Sequence, residues 1–174
     1  MPQLLNPKSK LPTLDVPLVE GGQFVLADAN PDYFQLVVIY RGVHCPKCKA
    51  QLKEIDAKVA DIRADGMDVV AISMDNEERA KKAVKEWELE NLPIGYDLSL
   101  LTAKELGLFL SDSVSDKEPK IFAEPALFVV KPDGALYAEF VQNTPFGRPA
   151  LDEVLSGMKF AAENDYPTRG TSVA

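Results

Sequence analysis

Two cysteines placed between an apolar run and a helical pattern constrain the fold of this chain more than any other feature. Cys45 and Cys48 are the only cysteines in the sequence. The run before them, residues 36–40, carries no charge and predicts a buried strand. The segment after them repeats apolar residues at helical spacing, at Leu52, Ile55, Val59 and Ile62. The sequence therefore predicts a strand, a tight corner that holds the cysteine pair, and a helix that ends near Gly66.

The position of Cys45 predicts an unusually acidic thiol. Pro46 favours the first helical position, because it lacks the N–H that would have no partner there. Cys45 then lies at or next to the N-cap, where its sulfur can accept backbone hydrogen bonds. The helix dipole, Arg41 and nearby lysines favour the thiolate, and such surroundings lower a thiol pKa from about 8.5 to between roughly 3.5 and 7.5. We predict that Cys45 is an exposed nucleophile and that Cys48, on the same helical face, is the more buried resolving partner.

Two other interpretations of the pair compete with redox chemistry. A structural disulfide is one, but a bridge across two residues would constrain little of the unfolded chain. A structural zinc site is the other, but zinc usually takes four protein ligands, and this stretch adds only His44, the one histidine of the chain. A redox-active pair is the favoured interpretation, and it requires neither a metal nor another cofactor.

Composition excludes several classes of function. The chain has 174 residues and a net charge of −8, which favours a single domain over 1–174 and argues against nucleic acid or an anionic membrane surface as a partner. No apolar run reaches the roughly 18 residues of a membrane span, and the first residues do not resemble a secretory signal. Two closely spaced cysteines fit a reducing compartment, so we expect a cytoplasmic protein.

The remaining pattern alternates strands and helices. Predicted strands cover 23–26, 36–40, 68–73, 125–130 and 135–141, with a short strand or connection at 92–97. Four helices are predicted: one after Cys48, one after a cap at Asp75 or Asn76, one that begins at Leu101 and one that begins at Pro149. Residues 1–20 predict an extended N-terminal arm, 111–120 a surface loop and 165–174 a loose tail. This order indicates an α/β protein with a central, mostly parallel sheet that ends in an antiparallel hairpin and is flanked by helices.

Four stretches of the chain resemble the alkyl hydroperoxide reductase and thiol-specific antioxidant group, the peroxiredoxins. They are residues 38–48, 70–75, 124–134 and 147–155. The resemblance covers most of residues 11–160 and is to the variant that carries a C-P-x-C pair. It implies a thioredoxin-like fold with a central mixed sheet and an N-terminal extension.

The resemblance assigns roles to particular residues and also shows departures. It implies that Cys45 attacks first, that Cys48 is the second cysteine, and that Pro125 is the proline held in cis beside them. Peroxiredoxins usually carry Thr or Ser three residues before the attacking cysteine, where this chain has Gly42, and Pro seven before it, where it has Val38. The active-site arginine of the family would fall near Pro125. The candidates to replace that arginine are Arg41 and Arg148.

Two further polar residues flank these positions. His44 is a candidate to orient substrate or, when protonated, to stabilise the thiolate; an ordinary surface histidine is the alternative. Glu124 precedes the proline and is a candidate to move protons or to raise the cysteine pKa by charge repulsion. A solvated Glu124 is the favoured interpretation.

The favoured function is a thiol-dependent antioxidant oxidoreductase that reduces peroxides through Cys45, with Cys48 as the resolving cysteine. Thioredoxin, glutaredoxin or a small thiol would then reduce the resulting disulfide. One alternative is a thioredoxin-like oxidoreductase that acts on disulfide substrates and has no peroxidase activity. Another is a non-catalytic redox-sensing or binding module. Family members often pair, so the resemblance also admits a homodimer.

Overall fold

The computed structural model describes residues 4–173. The first three residues of the predicted arm and the last residue of the predicted tail lie outside the described residues. The strands are β1 (Asp15–Pro17), β2 (Gln23–Val25), β3 (Phe34–Ile39), β4 (Met67–Ile72), β5 (Ile94–Gly95), β6 (Leu110–Asp112), β7 (Ile121–Ala123), β8 (Ala126–Val130) and β9 (Leu136–Val141). The helices are α1 (Pro46–Ala64), α2 (Glu77–Trp87), α3 (Leu100–Glu105) and α4 (Leu151–Glu163), with one 3-10 turn at Leu26–Asp28.

A five-stranded mixed sheet lies at the centre, in the order β5-β4-β3-β8-β9. Strand β3 is parallel to β4 and antiparallel to β8, and β9 returns antiparallel to β8. This confirms the predicted thioredoxin-like fold. The register sets Ile39, the last residue of β3, opposite Ala126 on β8. The corner that carries the cysteines therefore lies beside the start of β8.

Each face of the sheet has its own apolar core, because side chains alternate along a strand. On one face, Leu36 and Val38 of β3 pack with residues of α1, α2 and α4. On the other, Val37 and Ile39 pack with α3 and with the N-terminal segment. All six residues of β3 are buried. This explains why its sequence reads as a continuous apolar run.

Helix α1 confirms the pattern predicted from the apolar spacing. Its buried side chains include Leu52, Ile55, Val59 and Ile62. It ends at Ala64, and Gly66 follows with φ of 76°, the left-handed conformation that glycine adopts without a steric penalty after a helix. The helix therefore runs between the two ends that the sequence indicated.

Other boundaries differ from the predictions. Asn76 is the N-cap of α2, whereas Asp75 is buried and turns towards the cysteine corner. The predicted loop at 111–120 is wrong at its first two residues, because β6 extends to Asp112 and forms a small antiparallel hairpin with β7. Strands of three residues are too short to give a usable alternation, so this hairpin could not be recognised from its sequence.

The terminal segments pack against the domain in different ways. Strand β1 pairs with β2, and both Val16 of β1 and the preceding Leu14 are buried. Residues 165–173 contain no helix or strand, although the Tyr166 carbonyl accepts a hydrogen bond from the Tyr137 hydroxyl. Within residues 4–173 no helix combines the length and the apolar character needed to cross a membrane.

Asp56 of α1 stabilises the turn after α2. Its Oδ1 atom accepts the backbone N–H groups of Glu90, Asn91 and Leu92 at 3.1, 2.8 and 2.8 Å. Burial acts to raise the pKa of Asp56, but these backbone hydrogen bonds hold that pKa below its usual value. The carboxylate therefore stabilises the fold only while it is ionised.

Asp56→Asn is expected to lower the free energy of unfolding by about 1–3 kcal/mol at neutral pH, because it weakens hydrogen bonds to a charged acceptor. The lowered pKa means that this stabilisation is present above the unfolded-state pKa and is lost as pH falls through the folded-state pKa. Urea denaturation at neutral and acidic pH measures both effects. Glu86→Gln, at an exposed position of α2, is the control and should change little. An Asp56→Asn defect of equal size at every pH would contradict the argument.

Candidate active site

The cysteine pair lies at the N-terminus of α1, directly after the corner that follows β3. Cys45 is the N-cap residue and Pro46 is the first residue of the helix. The Cys45 Sγ accepts a hydrogen bond from the backbone N–H of Cys48 at 3.2 Å. This confirms the predicted N-cap position, and it places the sulfur at the positive end of the helix dipole.

The prediction that Cys45 is exposed is wrong. Both cysteines are free thiols, and their relative exposures are 1% for Cys45 and 0% for Cys48. The physical reason is Arg148, whose Nη2 lies 3.1 Å from the Cys48 Sγ and 3.7 Å from the Cys45 Sγ. The guanidinium spans both sulfurs, so the pair meets a cation instead of solvent.

The two thiols differ in acidity. The pKa of Cys45 is lowered most by a hydrogen bond from the Cys48 thiol. Burial opposes this shift, but the Cys48 N–H, Arg41 and Arg148 also lower the pKa of Cys45, which is about 5. Burial, followed by the hydrogen bond to Cys45, raises the pKa of Cys48 well above its usual value. At neutral pH the site therefore holds a Cys45 thiolate next to a protonated Cys48.

Arg148 comes from the segment before α4 and is fixed by two further contacts. Its Nε donates to the Pro145 carbonyl at 3.1 Å, and its Nη1 donates to the Gln51 Oε1 at 2.7 Å. Of the two arginines considered, Arg148 is the one whose side chain contacts both sulfurs. Gln51 was missed by the sequence analysis, although its position one turn after Cys48 on α1 was an available signal.

Arg41 contributes to the site in another way. Its backbone N–H donates to the Cys48 Sγ at 3.4 Å. Its side chain lies over the Phe122 ring, with the Cζ atom 4.7 Å from the ring centroid. The Arg41 Nε also lies 3.1 Å from the Glu124 Oε2, in an ion pair.

The prediction of a solvated Glu124 is wrong. The residue is 3% exposed, because it lies between β7 and β8, and β8 is an inner strand of the central sheet. Its second oxygen, Oε1, accepts a hydrogen bond from the Ser111 hydroxyl at 2.7 Å. The buried carboxylate thus has one cationic partner, Arg41, and one neutral donor.

The cis geometry that the resemblance implied for Pro125 is wrong as well. Residues 4–173 contain no cis peptide bond. Pro125 lies at the start of β8 in the trans form, and its carbonyl accepts a hydrogen bond from the Gln142 N–H at 3.0 Å.

A buried carboxylate and an arginine from α2 support the corner. The Asp75 Oδ2 accepts the Val43 N–H at 2.7 Å, and its Oδ1 lies 2.7 Å from the Arg79 Nε. Gly42 has φ of +136°, and a Cβ added there would lie 2.7 Å from the Asp75 Oδ1. The local sequence pattern indicates Asp75 only as a candidate helix cap. The signal that points to its true position is that β3 and β4 are parallel neighbours, so their C-terminal ends meet.

Residues 7–138 match the family described as the AhpC/TSA family. The chain belongs to the AhpC/TSA family. Membership makes it a peroxiredoxin-like enzyme, a thiol peroxidase or thiol-dependent oxidoreductase. Among the curated proteins, none matches this member of the family.

Solved structures similar to this AhpC/TSA protein share its fold at low sequence identity. A peroxiredoxin-like protein from Aquifex aeolicus is 18% identical, with a TM-score of 0.73, over 91% of this chain and 88% of that one. AhpC from Mycobacterium tuberculosis is 14% identical, with a TM-score of 0.74, over 94% and 96%. AhpC from Enterococcus faecalis is 18% identical, with a TM-score of 0.73, over 92% and 97%. The shared fold extends over nearly the whole length of each protein.

Proposed function

We propose that this enzyme reduces peroxides with Cys45 as the attacking sulfur and Cys48 as the resolving sulfur. The observation that carries the proposal is the Arg148 guanidinium, within 3.1 and 3.7 Å of the two sulfurs. A thiolate is the reactive form of a cysteine, and the lowered pKa of Cys45 keeps it ionised at neutral pH.

The first step forms a sulfur–oxygen bond. The Cys45 thiolate attacks one oxygen of the peroxide, the O–O bond breaks, and the other oxygen leaves with the electron pair. That oxygen takes a proton and departs as an alcohol or water, while Cys45 becomes a sulfenic acid. Arg148 is placed to stabilise the charge that develops on the leaving oxygen, since a fixed cation needs little reorganisation at that moment.

The second step forms the disulfide. The Cys48 sulfur attacks the Cys45 sulfur, the S–O bond breaks, and the released hydroxide takes the Cys48 proton and leaves as water. Burial keeps that proton on Cys48 until this step. Two electrons from thioredoxin, glutaredoxin or a small thiol then restore both thiols.

The buried pair needs a route for its substrate. A surface groove of about 370 Å³ borders Arg148 and is also lined by Lys47, Gln51 and Pro149. We propose that peroxide and reductant approach the two sulfurs along this groove, next to Arg148. We further propose that residues 1–174 form a single domain, that the protein is cytoplasmic and that it forms a homodimer.

A second candidate function is the reduction of protein or small-molecule disulfides by the same pair. The observation that favours it is Gly42, which stands where peroxiredoxins usually carry a hydroxyl side chain. In this reaction Cys45 attacks a substrate disulfide and one substrate thiolate leaves, after which Cys48 attacks the mixed disulfide and releases the other.

One equivalent of hydrogen peroxide added to the reduced Cys48→Ser protein tests the proposal. We expect rapid loss of one thiol and a mass gain of one oxygen, because the sulfenic acid cannot be resolved within the chain. The wild-type protein should instead lose both thiols and gain no oxygen. In the wild-type protein the rate should rise with pH around a midpoint of about 5, following the pKa of Cys45.

Cys45→Ser is the matched control and should be inert in the same assay. If the wild-type protein reacted with hydrogen peroxide no faster than a free cysteine does, the peroxidase proposal would be wrong. Rapid reduction of a peptide disulfide by that same preparation would then favour the second candidate.

A further inference from the structure

Arg79 of α2 connects three parts of the chain around the cysteine corner. Its Nε lies 2.7 Å from the Asp75 Oδ1, and its Nη2 lies 3.3 Å from the His44 Nδ1. The same Nη2 donates to the Lys117 carbonyl at 3.1 Å. Lys117 belongs to the connection between β6 and β7. One guanidinium thus joins helix α2, the residue before Cys45 and that connection.

Asp75 holds this arginine in place. It is 1% exposed, and its second oxygen accepts the Val43 N–H at 2.7 Å. The carboxylate therefore contacts the corner backbone on one side and Arg79 on the other. Because a planar guanidinium donates in fixed directions, this pairing also fixes the donor that points at His44.

The contact with Arg79 determines which ring nitrogen of His44 carries the proton. Arginine only donates hydrogen bonds, so the His44 Nδ1 must accept. An accepting Nδ1 carries no proton, and the proton of the neutral ring therefore lies on Nε2. That Nε2 is buried and has no hydrogen-bond partner within residues 4–173. The ring itself is held edge-on to Phe122, with centroids 4.8 Å apart.

We propose that Arg79, held by Asp75, is a positioning residue that fixes His44 as a neutral imidazole with a free Nε2–H. A buried donor without a partner is costly, so this N–H is suited to an acceptor that the chain does not supply. The acceptor we assign is an oxygen of the peroxide. This assignment rests on the proposed function, whereas the tautomer does not.

The charges around His44 support a neutral ring. Arg41 faces it from the corner and Arg79 from α2, while Asp75 and Cys45 supply negative charge. Burial lowers the pKa of His44 most, followed by Arg41, and the two negative groups do not reverse this shift. The ring therefore remains uncharged at neutral pH, so we do not assign His44 a role as a cation that stabilises the thiolate.

Nitrogen NMR of the imidazole tests the tautomer without any peroxide. His44 is the only histidine in the sequence, so its ring signals need no assignment. We expect an unprotonated Nδ1 and a protonated Nε2 in the reduced wild-type protein. Arg79→Lys keeps the charge but not the fork, and it should give a mixture of tautomers.

The matched control is Lys81→Gln on the same helix, where an exposed pair with Glu77 has the same four-residue spacing. This variant should leave the His44 spectrum unchanged. A wild-type spectrum with mixed tautomers, or a spectrum that Arg79→Lys does not alter, would overturn the assignment.

A kinetic measurement tests the use of the free N–H. His44→Phe keeps an aromatic ring against Phe122 and removes the donor. We expect its rate with hydrogen peroxide to fall about tenfold, the effect of one hydrogen bond, with the Cys45 alkylation midpoint little changed. If His44→Phe reacted with peroxide at the wild-type rate, the proposed contact between His44 and the substrate would be wrong. The tautomer is tested separately by the NMR measurement. A wild-type protein inert to peroxide would instead refute the proposed function.

Discussion

Arg148→Met is expected to slow the reaction of Cys45 with peroxide by roughly 10²–10³-fold, the loss found when one donor to a developing negative charge is removed. The same guanidinium contacts both sulfurs, so its removal takes away a cationic donor next to each of them. The effect of the substitution on the acidity of the Cys45 thiol should be smaller. The pKa of Cys45 should rise only modestly above about 5, because the hydrogen bond from the Cys48 thiol lowers it most.

Two measurements separate these effects. Alkylation of Cys45 as a function of pH gives its ionisation, and stopped-flow oxidation above the alkylation midpoint gives the rate of the fully ionised thiolate. Arg63→Met, at an exposed arginine of α1, is the control and should affect neither. If the thiolate of Arg148→Met reacted at the wild-type rate, Arg148 would have no role beyond packing.

Arg41→Met is expected to lower the free energy of unfolding by about 3–5 kcal/mol, the cost of leaving one charge of a buried pair without its partner. The Glu124 side chain is 4% exposed, and the Arg41 side chain is 15% exposed. After the substitution, the carboxylate would retain the Ser111 hydroxyl as its donor, which cannot replace a cation. Thermal or urea denaturation measures the loss.

A second substitution distinguishes the lost charge from lost packing. Adding Glu124→Gln to Arg41→Met removes the unpaired charge and should recover a large part of the stability. A pair of single variants and the double variant form a complete thermodynamic cycle. Additive losses in that cycle would show that the two residues stabilise the fold independently.

Local features of the site could be predicted from the sequence. Pro46 and the apolar spacing after Cys48 defined the start and the inner face of α1, because capping and helical periodicity depend on residues close in the chain. The apolar run before the corner identified β3 for the same reason. These patterns were sufficient to predict the local backbone around Cys45 without knowledge of the remaining fold.

The residues that surround the sulfurs could not be placed in the same way. Arg148 lies 103 residues after Cys45 in the sequence, and its contact depends on how α4 packs against α1. Glu124 is buried because β7 leads into β8 next to β3, an adjacency that no local pattern reveals. The expected exposure of Cys45 failed for the same reason, since its cover comes from the far end of the chain.

The absence of a side chain at Gly42 has a consequence for how this branch of the family can vary. A threonine there would place its Cβ on the Asp75 carboxylate at 2.7 Å, in a backbone conformation that such residues avoid. Positions 42 and 75 are therefore expected to covary: relatives with a hydroxyl residue at the first should lack aspartate at the second. The single substitution Gly42→Thr should therefore destabilise the corner that carries Cys45.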